Sequence, residues 1–236
     1  MIGPIVNSCC ILLGGVAGAA FGRFIPERVR FALPMTLGAA AMAMGVVLLA
    51  GVAHLPAVVL ALLAGAIIGE LINIERHLGS LGHALHRLIG RFSRKPSSTP
   101  HEAFIDQFVA ILVLFCASGT GVFGAMHEGM TGDPSILLAK SALDLVSAII
   151  FATSLGYAVA LIAVPQLLIQ LALAFGAVFI MPMTDKLMNA DFSAVGGIIV
   201  FVTGFRICGI KSFPVANMLP ALVLVMPVSA LWARFF

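Results

Sequence analysis

Charge is what this sequence has least of. Of its 236 residues, 13 are Lys or Arg and 10 are Asp or Glu, together 10%, where a soluble domain carries about 25%. Such a chain cannot cover a folded surface in water. Trp and Tyr occur once each. Only four cysteines are present, Cys9, Cys10, Cys116 and Cys208, all within apolar stretches and with no pair at metal-site spacing. They read as small apolar packing residues, so no metal or cofactor is expected. No HExxH, G-x-S-x-G or P-loop string occurs, so no catalytic constellation emerges and the chain is not read as an enzyme. The basic residues sit in short clusters between apolar runs, which does not suggest a nucleic-acid partner. The N-terminus lacks a basic n-region and a small-residue cleavage site, so the first apolar run is expected to be a retained span.

What is present is hydrophobic sequence: 61% of residues and a mean hydropathy of +1.14. In lipid that composition is no burden, because the solvent is apolar and helices satisfy their own backbone. The expected fold is all-α and polytopic, with the lipid bilayer as the first partner. A span needs about 20 apolar residues. Eight runs qualify, at 4–22, 33–51, 55–74, 104–125, 135–161, 164–183, 193–210 and 213–233. The split between the fifth and sixth falls near Pro165. The long polar interval at 76–103 carries Arg76, Arg87, Arg91, Arg94 and Lys95. Leu78, Leu81, Leu85, Leu88 and Ile89 recur there at helical spacing, as in a basic amphipathic helix on the membrane surface.

Cytoplasmic loops are enriched in Lys and Arg. With the N-terminus outside, ten basic residues fall in inside loops, from Arg23, Arg28 and Arg30 through the 76–95 cluster to Arg206 and Lys211. Only Lys186 and Arg234 then lie outside. Both termini are therefore expected outside the membrane, with the 76–103 segment cytoplasmic.

The second and third spans resemble the seventh and eighth. Gly38 aligns with Gly196, Gly51 with Gly209 and Pro56 with Pro214. Each copy reads as helix, tight turn, helix, with Gly suited to the cap and Pro to the next helix start. Three-span units at 1–75 and 162–236, separated by the cytoplasmic segment and a helix pair at 104–161, would have inverted topology, a recurrent plan of secondary transporters.

Ionisable groups inside spans are costly and mark function or pairing. Asp144 lies near mid-depth of the fifth span, with Lys140 one turn earlier on the same face. The two are read either as a structural ion pair or as an ion or substrate site. Glu70 stands near the inner end of the third span, where an interfacial carboxylate is the plainer reading. Asn7, Gln166, Gln170 and Asn217 are uncharged polar groups within spans, while Asp106 and Gln107 open the fourth. Each could equally tie two helices. Glu70, Asp106, Gln107, Gln166 and Asn217 all fall in the expected cytoplasmic half, as the walls of an inward-open vestibule with Asp144 toward its floor would. Gly14, Gly18 and Gly22, and Gly65 with Gly69, mark close helix packing. His77, His83 and His86 read as a solvated face.

The strings VNSCCILLGG, GRFIPER, GAIIGELINIERHLGSLG, LFCASGTGVFGAMHEGMTGD, LLAKSALDLV and VANMLPAL, in this order over nearly the whole chain, resemble the bacterial YqgA/YdfK-like membrane proteins, the family of domain of unknown function 554. Asn7, Glu70, Cys116, Lys140, Asp144, Gln170 and Asn217 sit at its motif positions, whereas FIDQFVAIL departs from the pattern around Asp106. The resemblance implies a bacterial cell membrane and a transport role, without a substrate. The reading that follows is a small secondary transporter or permease for a small ion or solute. Asp144 with Lys140, Asn7, Glu70, Gln170 and Asn217 would form the site. The other readings are a structural or regulatory membrane protein and a channel formed by a homo-oligomer.

Overall fold

The computed structural model describes residues 1–77, 104, 108, 111, 112, 114–116, 118–211 and 213–235. Helix is the only regular structure among them. The helices are α1 (Gly3–Phe21), α2 (Glu27–Leu49), α3 (Leu55–Ile72), α4 (Gly119–Thr131), α5 (Ser135–Leu155), α6 (Ala158–Val178), α7 (Lys186–Ile207) and α8 (Val215–Phe235). Seven of them, all but α4, are long and apolar enough to cross a membrane. Their lipid-facing surface is apolar, with Val47, Leu71, Phe179 and Leu231 largely exposed, as a chain dissolved in hydrocarbon requires.

The fourth expected span is discontinuous. Residues 104, 108, 111, 112 and 114–116 are helical, but Ser118 is extended (φ −63°, ψ 126°) before α4 begins at Gly119. The 13 residues of α4 rise only about 20 Å, short of a hydrocarbon core of about 30 Å. The split expected near Pro165 falls earlier. Gly156 adopts φ 60° after α5, and Pro165 lies in the first turn of the Ala163–Val178 stretch of α6. A positive φ is cheap for glycine, whereas proline at a helix start loses no hydrogen bond. The basic segment expected at 76–103 lies beyond the described residues from position 78 onward, as do Asp106 and Gln107.

Glycine sets the packing. The backbones of α1 and α5 run parallel in close contact: a Cβ on Gly14 would lie 2.6 Å from Leu145 O, and one on Gly22 would lie 2.7 Å from Thr153 Cγ2. Helices α2 and α7 cross antiparallel, Gly38 against Gly204 and Gly45 against Gly197. Helices α3 and α8 do the same, Gly65 against Ala221 and Gly69 against the Asn217 carbonyl. Without a hydrophobic drive between helices in lipid, such small-residue contacts are a main source of association. The main core joins Phe123 of α4, Val58 of α3, Phe192 and Val200 of α7, and Leu222 of α8; a second joins Ile11 of α1 to Phe115, Leu155 and Ile162.

These contacts sort the connections into two ends. The N-terminus, the 50–54 turn, the 132–134 loop, the 179–185 turn and the C-terminus lie at one end. The 22–26, 73–77, 156–157 and 208–214 segments lie at the other. Buried carboxylates tie the first end. Glu128 accepts from Ile2 N at 2.6 Å and Gly3 N at 3.0 Å, which docks the start of α1. Asp191, fully buried, accepts from Ala53 N (3.0 Å), His54 N (2.7 Å) and the Ser229 hydroxyl (2.6 Å), with His54 Nδ1 at 2.9 Å.

Candidate functional site

Lys140 and Asp144 are the sixth and tenth of the 21 residues of α5, which puts Asp144 at mid-helix. One turn apart on one face, they meet: Lys140 Nζ donates to Asp144 Oδ2. Both are buried, at 2% and 8% exposure. Lys140 Nζ also lies 6.0 Å from the Phe115 ring centroid, within cation–π reach. A charge pair at this depth persists only because each member compensates the other.

Two side-chain amides complete the surroundings. Asn7, on α1, is fully buried and stands against the Asp144 carboxylate, yet neither amide atom makes a hydrogen bond of ordinary geometry. Gln170, on α6, is 2% exposed and also without a partner among the described residues. Its Nε2 lies 3.4 Å from the point a Cβ on Gly121 would occupy, and Lys140 Cε lies 3.0 Å from that same point. Glycine at 121 is what lets α4 come so close to both. Gln166, one turn earlier on α6, is likewise buried and unpartnered. Unmatched buried amides cost about 1–3 kcal/mol each; Gln166 and Gln170 find no partner among the described residues, and water or solute is the ordinary complement of such groups.

A cavity of about 410 Å³ reaches this pair, a size typical of small-molecule sites. Lys140, Asp144, Ser118, Gly119 and Thr120 line its deep part, and Glu75 and Arg206 line the part toward the 208–214 end. Much of the remaining wall is apolar, from Leu37, Phe115, Leu143 and Phe151 among others.

Glu70 and Asn217 are brought together, but not with Asp144. Asn217 Nδ2 donates to Glu70 Oε2 at the 73–77 end, where Glu70 is exposed and Asn217 buried. Asn217 Oδ1 accepts from Glu75 N at 2.7 Å. Glu75 in turn accepts from Arg206 Nη1 (2.6 Å) and from Ala216 N (2.9 Å). This network closes the start of α8 and borders the cavity at its outer part. The six expected residues therefore divide, four around the ion pair and two in the network at the bundle end. Sequence reasoning missed Glu75 and Arg206 as cavity residues, and it missed Glu128 and Asp191 as turn ligands. The signal available for Glu75 and Arg206 was charge within about a turn of a span end, which also describes ordinary surface residues.

Residues 2–230 match the family described as "Protein of unknown function (DUF554)". The chain is 53% identical over 236 residues to "Uncharacterized protein YqgA" of Escherichia coli (strain K12), covering 100% of this chain and 99% of that one. It is 26% identical over 231 residues to "Uncharacterized membrane protein YdfK" of Bacillus subtilis (strain 168), covering 95% and 93%. No solved structure matches.

Proposed function

This chain belongs to the DUF554 family, and from that premise we propose that it is a small secondary transporter whose solute binds at mid-membrane beside Lys140 and Asp144. The observation that carries the proposal is the cavity ending on a buried ion pair at the middle of α5. A pair that only tied helices would need no cavity, and Gln170, without a partner among the described residues, would then be a standing cost. The broken fourth span adds support, since discontinuous helices at mid-depth are a recurring element of transporter sites.

The orientation proposed is both termini outside a bacterial inner membrane. Positions 23, 28, 30, 76, 206 and 211, all Lys or Arg, lie at the end holding the cavity's Glu75–Arg206 part, against Lys186 and Arg234 at the other. The cavity would then approach the cytoplasm, with the Glu75–Arg206–Asn217 network as its inner gate.

An inverted three-helix repeat fits the packing as well. The aligned helices α2 and α7 pack antiparallel on each other, and so do α3 and α8, as copies related by an axis in the membrane plane would. The two turns differ in detail: Gly209 has φ 70°, whereas Gly51 does not take a positive φ.

The test is solute exchange. Purified protein is screened for thermal stabilisation by small solutes, and each hit is carried into counterflow in proteoliposomes. Saturable counterflow without unitary conductance in planar bilayers is expected. Conductance steps would make the protein a channel, and neither signal would leave a structural role.

A further inference from the structure

The deep part of the cavity has a chemistry that selects its occupant. Helix α4 begins inside the protein, at Gly119, and its N-terminus faces the cavity through Ser118, Gly119 and Thr120. The first intrahelical bond runs from Val122 N to Ser118 O. Among the described residues the N–H groups of Gly119, Thr120 and Gly121 have no acceptor, as is usual at a helix start, and the Ser118 side chain does not cap them. Orphan donors and the positive end of the helix dipole favour an anion. Lys140 brings a formal cation to the same place. Its ammonium has three donors and makes one hydrogen bond among the described residues, to Asp144. Independently of the helix start, Gln170 is buried, unpartnered and directed at the first turn of α4 beside Lys140. Its amide N–H group is a further donor without an acceptor.

We propose that this site binds a small monocarboxylate, with the carboxylate between the first turn of α4 and Lys140 and a short apolar tail along Phe115, Leu143 and Phe151. Lys140 holds the carboxylate while remaining paired to Asp144, so the bound solute shares one cation with a resident carboxylate. The apolar walls disfavour a hydrated inorganic anion. This assignment names the substrate class of the transporter proposed above and rests on that reading for its role, though not for binding.

Sharing gives the proposal a sign. Asp144 competes with the solute for Lys140, so Asp144→Asn should bind a carboxylate more tightly, by about tenfold, the effect of one freed charge-assisted hydrogen bond. A site for a cation or a proton-coupled amine would instead lose affinity in the same variant.

The experiment is a thermal-shift titration of the intact purified protein with acetate, propionate and butyrate. Acetamide, propionamide and butyramide, the matching alkylamines, and chloride and nitrate serve as contrasts, all at fixed pH and ionic strength. The expected result is saturable stabilisation by the carboxylates alone, strongest for one with a tail, and a Kd about tenfold lower in Asp144→Asn. If Asp144→Asn does not yield folded protein, Gly121→Ala is used. Its methyl would press on Lys140 Cε and Gln170 Nε2, and it should weaken carboxylate binding. Stabilisation by amines or amides instead, by inorganic anions alone, or by no member of the panel would overturn the carboxylate site. The same compounds are then run in proteoliposome counterflow. Carboxylate binding without counterflow leaves the site standing and refutes transport. Counterflow of an amine or amide without a carboxylate response leaves transport standing and refutes the site.

Discussion

Replacing Asp191 with alanine should destabilise this protein more than any substitution at an equally short polar residue on its surface. Asp191 is fully buried near the start of α7 and gathers four donors from two places: Ala53 N, His54 N and His54 Nδ1 in the α2–α3 turn, and the Ser229 hydroxyl on α8. Hydrogen bonds to a charged group are worth about 1.5–3 kcal/mol each, but the four do not weigh equally. Ala53 is exposed and His54 half-buried, so water or lipid headgroups can take over most of what they lose. Ser229 is fully buried and must turn back to its own helix. Together with the space left behind, about 3 kcal/mol is expected for Asp191→Ala, and about half for Asp191→Asn, whose carbonyl can still accept from the turn. For a chain of this size each kcal/mol moves Tm by roughly 2–4 °C, so Asp191→Ala should melt about 10 °C lower. Thermal unfolding in a fixed detergent, followed by tryptophan fluorescence or circular dichroism, reads this directly. A drop within about 1 °C of zero would show that the network is not a fastening, and the reasoning would fail.

Three further outcomes follow from the packing and the site. Gly69→Val should cost more than about 3 kcal/mol, because the added carbons meet the Asn217 backbone, which cannot yield. Gly176→Ala, with nothing within 4 Å of the new methyl, should be neutral or slightly stabilising; comparison of the two Tm values checks both. Lys140→Met or Asp144→Leu alone should each lose about 3–5 kcal/mol by stranding a buried charge, whereas the double variant should lose clearly less than the sum. A double-mutant cycle in urea or SDS unfolding reads that coupling, and additivity would contradict the pairing. Glu128→Ala should loosen the first turn of α1, which hangs on Ile2 N and Gly3 N. Hydrogen exchange over residues 2–7 should then rise by at least about tenfold, equivalent to 1.4 kcal/mol, with α7 unaffected.

The spans were legible because lipid imposes a length and a composition on each one, so seven of the eight expected runs correspond to the seven long helices. The Lys140–Asp144 pair was legible because i, i+4 geometry is local. The break at Ser118 was not, since residues 104–125 are apolar throughout enough of their length to pass as one span, and a single extended residue leaves no trace in hydropathy. The turn before α6 was assigned to Pro165 when the glycine at 156 makes it; proline at a helix start and proline at a helix end look alike in sequence. Asp191 was missed for another reason. Its backbone donors are 137 and 138 positions away, and no local pattern encodes a partner so distant. Glu70 and Asn217 were grouped with Asp144 as the cytoplasmic-half walls of a vestibule with Asp144 toward its floor; they meet each other rather than Asp144, and their pairing across 147 positions had no local signal. Asn217 stands at the start of α8 and Glu70 near the end of α3, a full bundle end away from the middle of α5.

The central claim is that water and solute reach the middle of the membrane at the start of α4, and that the site opens to both sides in turn. The measurement is labelling of Ser118→Cys, in a background lacking the four native cysteines, by a membrane-impermeant maleimide in vesicles of each orientation. Lys211→Cys and Lys186→Cys mark the two faces. The account predicts fast reaction from the face marked by Lys211→Cys, and slower but measurable reaction from the face marked by Lys186→Cys. Reaction from neither face would mean that position 118 is dry and that the buried pair only holds helices together.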